Sequence, residues 1–212
     1  MDNKEGTDET TTQLAHAVRH RVSQLLGLLL LTAIVAACTT GSGNLVTETR
    51  EVGEFDRIDV SSGIAVELFI EAGSPTQVTT HFDDNLQDMI RTEVVDGTLI
   101  IEADGSFTVT GSGRMVEVEV PSLAALAVSG GASVQGVGAV EQLAVRADGG
   151  SLVDLSDLVV QDVAVDVSAG ADLDVTTESS IEGEVSGGAS LTVNGDPATR
   201  NLDVSGGGSV SG

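Results

Sequence analysis

One short phrase returns five times between Ala127 and Gly212, and it limits what this chain can fold into. It reads Ser129-Gly-Gly-Ala-Ser133, Ala147-Asp-Gly-Gly-Ser151, Ser168-Ala-Gly-Ala-Asp172, Ser186-Gly-Gly-Ala-Ser190 and Ser205-Gly-Gly-Gly-Ser209. The starts lie 18, 21, 18 and 19 residues apart, and an aliphatic residue follows each phrase: Val134, Leu152, Leu173, Leu191, Val210. A sequence period of this length implies stacked structural units rather than one folded globule.

Within each unit the residues alternate. Leu126-Ala-Val128, Leu143-Ala-Val145, Val163-Ala-Val165-Asp-Val167 and Leu202-Asp-Val204 put an aliphatic side chain at every second position. That is the period of a strand with one face buried. Gly pairs supply the tight turns between strands, because Gly takes positive φ without steric cost. One such unit cannot bury enough apolar surface to offset the entropy of ordering it, so stability must come from neighbouring units. The expected fold is all-β: a solenoid of right-handed, parallel β-helix-like coils behind a strand-rich N-terminal part.

Composition supports a thin aliphatic core. The 212 residues include no Trp, no Tyr and four Phe, but 41% are hydrophobic. A coil stack needs no bulky aromatic, whereas surfaces that stack sugars or bases do. A formal charge of -24 opposes contact with nucleic acid through a basic patch. No nucleic-acid partner is expected.

The N-terminus carries an address. Arg19 and Arg21 precede a thirteen-residue apolar run, Leu25 to Ala37, which ends Val35-Ala36-Ala37-Cys38. A basic segment, a short apolar segment and small residues before a cut describe a secretory signal. The run is short for a membrane span, which takes about 20 apolar residues. Val-Ala-Ala-Cys resembles the lipobox of bacterial lipoproteins, which implies cleavage between Ala37 and Cys38 and a lipid on Cys38. A plain cleaved signal and an uncleaved anchor are the alternatives. The expected division is a signal peptide over 1–37, a lipidated Cys38 with a flexible tether over 38–51, and a folded domain over 52–212. The small polar run Thr39 to Asn44 motivates the tether.

Further along, Ile64-Ala-Val66-Glu-Leu68-Phe-Ile70 reads as a strand, and Val94-Val95-Asp96-Gly97-Thr98-Leu99 carries an Asp-Gly hairpin signal. Asn85 to Arg91 fits either a helical turn or a bent strand. Gly53-Glu-Phe55-Asp-Arg-Ile58-Asp-Val60, Ser62-Gly63-Ile64-Ala65-Val66, Asp84-Asn85-Leu86, Asp96-Gly97-Thr98-Leu99 and the Ser-Gly-Gly-Ala phrases together resemble the auto-transporter adhesin head GIN domain family. The resemblance spans roughly 52–212. It implies β-helical coils in a secreted or lipid-anchored protein of the bacterial envelope.

Catalytic chemistry finds little support. Glycan hydrolysis needs two placed carboxylates, usually beside aromatic platforms. After cleavage His81 is the one histidine, on a strand between Thr80 and Phe82, and it reads as a surface residue. Cys38 is the one cysteine, so no internal disulfide and no zinc site can be assembled. Gly170-Ala-Asp172-Leu-Asp174 is similar to half of a calcium-binding β-roll repeat, making Asp172 and Asp174 the calcium candidates, although calcium needs six to eight oxygens. No cofactor is expected. The functional expectation is a non-enzymatic, lipid-anchored surface protein on the extracytoplasmic side, meeting a surface or envelope ligand. The alternative is a structural envelope protein that self-associates through open solenoid ends.

Overall fold

The computed structural model describes residues 38–212. The expected signal segment, with Ala37, lies outside them. The described chain is all-β, with a single 3-10 turn at Gln87–Met89. Two strands come first, β1 (Thr39–Thr40) and β2 (Leu45–Arg50), followed by β3 (Arg57–Val60), β4 (Ala65–Ile70) and β5 (Gln77–Asp83). After the 3-10 turn come β6 (Ile90–Val95), β7 (Thr98–Ala103), β8 (Phe107–Thr108), β9 (Met115–Val120) and β10 (Ala125–Val128). Three long strands follow: β11 (Ser133–Ala147), β12 (Leu152–Val167) and β13 (Asp172–Val185). The last are β14 (Ser190–Asn194), β15 (Thr199–Val204) and β16 (Ser209–Ser211).

The strands make two parallel ladders. The first runs β7, β3, β10, then the C-terminal halves of β11, β12 and β13, then β15. The second runs β9, β4, then the N-terminal halves of β11, β12 and β13, then β14 and β16. Partners in successive units are about one sequence period apart: Ser133 lies beside Leu152, Leu152 beside Asp172, Asp172 beside Ser190 and Ser190 beside Ser209. Antiparallel strands close the first unit, with β6 beside β7 and β5 beside β9, and β2 outside β5. The β6–β7 connection is the Asp96-Gly97 hairpin read from sequence, with both residues at positive φ. The ambiguous segment at Asn85–Arg91 is both things in turn, a 3-10 turn and then the start of β6.

Inward side chains from both ladders join one buried cluster. Ile58, Leu126, Val145 and Val165 lie side by side on the first ladder, and Val66, Val134, Val153 and Leu173 on the second. At the N-terminal end Phe82 meets Phe107 edge to face, ring centroids 6.1 Å apart.

The repeated phrase forms the corner between the ladders. In each, the first residue's carbonyl accepts from the N–H three residues on, as in Ala132 N to Ser129 O and Ala189 N to Ser186 O, both 3.1 Å. The two residues between have positive φ, for example Gly187 at 61° and Gly188 at 77°. This is the geometry of a type I′ turn, which suits Gly. The two glycines serve different ends. A β-carbon on Gly187 would lie 2.9 Å from the backbone nitrogen of Ala169 in the corner before it, while Gly188 faces open space.

The ladder corrects the alignment of the second phrase. Ser133 pairs with Leu152, so Ser129 corresponds to Asp148 rather than Ala147. The starts Ser129, Asp148, Ser168, Ser186 and Ser205 are then 19, 20, 18 and 19 residues apart. Leu152 points outward, 56% exposed, and Val153 takes the core position. The fourth residue of the phrase is the one that turns inward, and it forms a buried column through Ala132, Ser151, Ala171 and Ala189.

The tether expected over 38–51 is also corrected. Thr39–Thr40 pair with Phe107–Thr108, and Leu45–Arg50 pair along β5, so the folded unit is Cys38–Gly212. Small polar residues suggest a linker by composition, but β8 and β5 offer edges with unpaired backbone groups, and pairing satisfies them.

Candidate interaction surfaces

Outward positions on a strand lie between the inward ones, so the residues separating the aliphatics in Leu-Ala-Val build the outer faces. On the first ladder Ala125, Ala144 and Ala164 stand beside one another, with Ala127 in the adjacent row. Ala projects one methyl where its neighbours project long chains, so the face sinks into a groove of about 660 Å³. Arg57 and Arg146 border it, together with Asp59, Asp166, Glu182 and Glu184. Arg146 reaches Asp166 at 3.3 Å and Asp148 at 3.4 Å. The Asp59 carboxyl is held above its ordinary range, first by partial burial and then by the negative charges of Glu102 and Asp148. The groove offers an apolar floor between rims of both charge signs.

A second groove, about 690 Å³, crosses the outer face of the other ladder. Its rows include Ser133, Leu152, Asp172 and Ser190, then Gln135, Asp154, Asp174 and Thr192. Both calcium candidates are therefore on one face of β13. Beside Asp172 stand Leu152 and Ser190, where the sequence alignment had placed Ser151. Asn194 donates its side-chain amide to the Asp174 carboxylate. Among the described residues, no three His, Cys, Asp or Glu side chains are grouped to hold a metal.

His81 is half-buried on β5, with Nδ1 3.0 Å from the Thr47 hydroxyl on β2. Cys38 is exposed, and its Sγ lies 3.2 Å from the Thr108 hydroxyl. Sequence reading missed both grooves. The signal of the first was the Ala in each Leu-Ala-Val or Val-Ala-Val triplet, an unusually small residue for an exposed strand position; the second, lined by Ser, Asp, Gln and Thr, had no such signal.

Residues 54–142 and, overlapping them, 128–197 match the family described as putative auto-transporter adhesin, head GIN domain. The chain belongs to this family. As a head GIN domain it is similar in fold to the crystal structure of a putative adhesin from Bacteroides fragilis, at 20% identity and TM-score 0.52 over 81% of this chain and 98% of that one. A putative adhesin from Parabacteroides merdae matches at 14% identity and TM-score 0.40, over 83% of this chain and 99% of that one. A putative lipid binding protein from Parabacteroides distasonis matches at 15% identity and TM-score 0.40, over 82% and 99%. No curated protein matches the head GIN domain of this chain.

Proposed function

We propose that this head GIN domain is a non-enzymatic surface-binding module of the bacterial envelope: a right-handed β-solenoid anchored by a lipid on Cys38, displaying its outer faces to other cells, matrix or envelope components. The family match supports the adhesin reading. Partner offsets close to one period, repeated through successive units, support the solenoid. The observation that carries the binding role is the alanine-floored groove of the first ladder. It is apolar at its base and charged at its rim, as binding sites that combine burial with orientation are.

The test is binding of the full chain to whole cells and to immobilised matrix and envelope fractions, compared with the double variant Ala144→Glu and Ala164→Glu. Both positions are exposed, so the fold is retained while the groove is filled. Loss of binding by the variant supports the reading. Equal binding by both chains overturns the groove as the site.

A second reading, self-association, draws on the last unit. β15 and β16 each pair on one side within the described residues, and Val204 and Val210 are 45% and 36% exposed. Open strand edges recruit other chains. Sedimentation velocity across a wide concentration range decides this: mass that grows with concentration supports it, and a monomer throughout overturns it.

A further inference from the structure

The residues that follow Cys38 are built into the head. Thr39 N–H donates to Ser106 O at 2.9 Å, and Gly41 N–H to Thr108 O at 2.8 Å. The Thr110 hydroxyl donates to Gly41 O at 3.1 Å, and the Asn85 side chain to Thr40 O at 2.9 Å. Gly41 is seated so closely that a β-carbon there would lie 1.8 Å from Asp83 Oδ2. A flexible spacer would extend the reach from an anchor by about 3.3–3.6 Å per residue. Here that reach is absent.

Charge is distributed to match. From Cys38 onward the chain carries 29 acidic residues and 6 arginines, yet Cys38–Thr47 and Gly105–Gly113 contain no charged side chain. These two segments are the ones that β1 and β8 hold together. Negative charge facing an anionic bilayer is repelled within a Debye length of about 8–10 Å, so the surface nearest an anchor has reason to lack it. Val109 stands 38% exposed in the same loop. Asp84 and Asp104 border the patch. The Asp84 carboxylate accepts hydrogen bonds from the Ser42 hydroxyl and the Asn44 amide.

The loop 104–114 replaces, between β7 and β9, the short corner found between β3 and β4 and in every later unit. It lies at the opposite end of the ladders from β15 and β16. Seven strands of the first ladder, at about 4.8 Å spacing, cover roughly 29 Å from one end to the other.

From this arrangement we propose that the lipid bilayer is a direct partner of the head. The uncharged surface of Cys38–Asn44 and Gly105–Gly113 rests on it, which orients the ladders away from the membrane with β15 and β16 distal. The proposal rests on anchoring at Cys38.

The test uses the full chain, expressed with its leader and reconstituted into vesicles of phosphatidylcholine and phosphatidylglycerol. With the Cys38 thiol acylated, Val109→Cys and Ser209→Cys each offer one free thiol for an environment-sensitive fluorophore. Lipids with a quencher near the headgroup are expected to remove most of the emission at position 109 and none at 209. Gly41→Val, which dislodges the segment, and a separate variant with a Gly-Ser spacer inserted after Cys38 are both expected to abolish quenching at 109 while the chain stays membrane-bound. An acylated, membrane-bound chain unquenched at 109, or quenched equally at 109 and 209, overturns the proposal and leaves anchoring intact. Mass analysis showing unmodified Cys38 in a soluble chain overturns the anchoring reading, and the proposal with it.

Discussion

Arg114 Nη2 lies 2.5 Å from Asp83 Oδ1, with the two side chains 8% and 0% exposed. Arg114 Nε also donates to the same oxygen at 3.1 Å. The pair links β5 to the residue just before β9, directly beneath the seat of Gly41. Removing one member of a buried pair leaves an uncompensated charge, at a cost of about 3–5 kcal/mol. Arg114→Met is therefore expected to lower stability by that amount in urea unfolding. Adding Asp83→Asn is expected to recover part of the loss, because no bare carboxylate then remains.

Glycines separate into two kinds. At Gly183, with φ of 139°, a β-carbon would fall 1.8 Å from the Val165 carbonyl oxygen in the strand alongside. Gly188, with φ of 77°, has open space around it. Gly183→Ala is expected to cost about 2–5 kcal/mol through backbone strain and overpacking. Gly188→Ala is expected to cost about 1–2 kcal/mol, the left-handed penalty alone. Urea midpoints measured side by side check the difference.

Ser151 stands between Ala132 and Ala171 in its column, and its hydroxyl is buried without a hydrogen-bond partner. An unsatisfied buried polar group costs about 1–3 kcal/mol. Ser151→Ala is expected to raise stability by about 1 kcal/mol at the low end of that range, read as a higher thermal midpoint.

The Asp59 carboxyl titrates above its ordinary value of 3.8. A carboxyl raised in the folded state destabilises the fold wherever it is ionised. That penalty is complete above the folded pKa and fades as pH falls through it toward the unfolded value. Asp59→Asn is expected to be more stable than the parent at pH 7, by a small margin because the group is largely exposed. The margin is expected to shrink as the pH approaches 4 in paired thermal melts; a margin that widened instead would contradict the sign.

Much of the fold was legible because its signals are local. The Asp96-Gly97 turn, the period-2 runs and the Gly phrases each act within a few residues, through φ preference and side-chain alternation. The candidate surfaces were less legible. Asp172 and Asp174 read as a motif, but what stands alongside them is not in the sequence: the ladder puts Leu152 beside Asp172 and Asp154 beside Asp174.

By itself, then, the sequence determined that the chain is all-β, that its strands recur at a period near 19, and that its core is aliphatic. The tertiary structure alone decided three things: the register of the second phrase, the binding of Thr39–Thr40 to β8, and the assembly of the alanine floor from three strands. The reason is physical. Ser and Ala are equivalent as small letters in a repeat, and only the pairing of Ser133 with Leu152 across the ladder assigns Ser151 to the interior. Likewise a polar run such as Thr-Thr-Gly-Ser-Gly has no period to read, and its Thr39–Thr40 become strand only because a distant loop presents an edge whose backbone groups they satisfy.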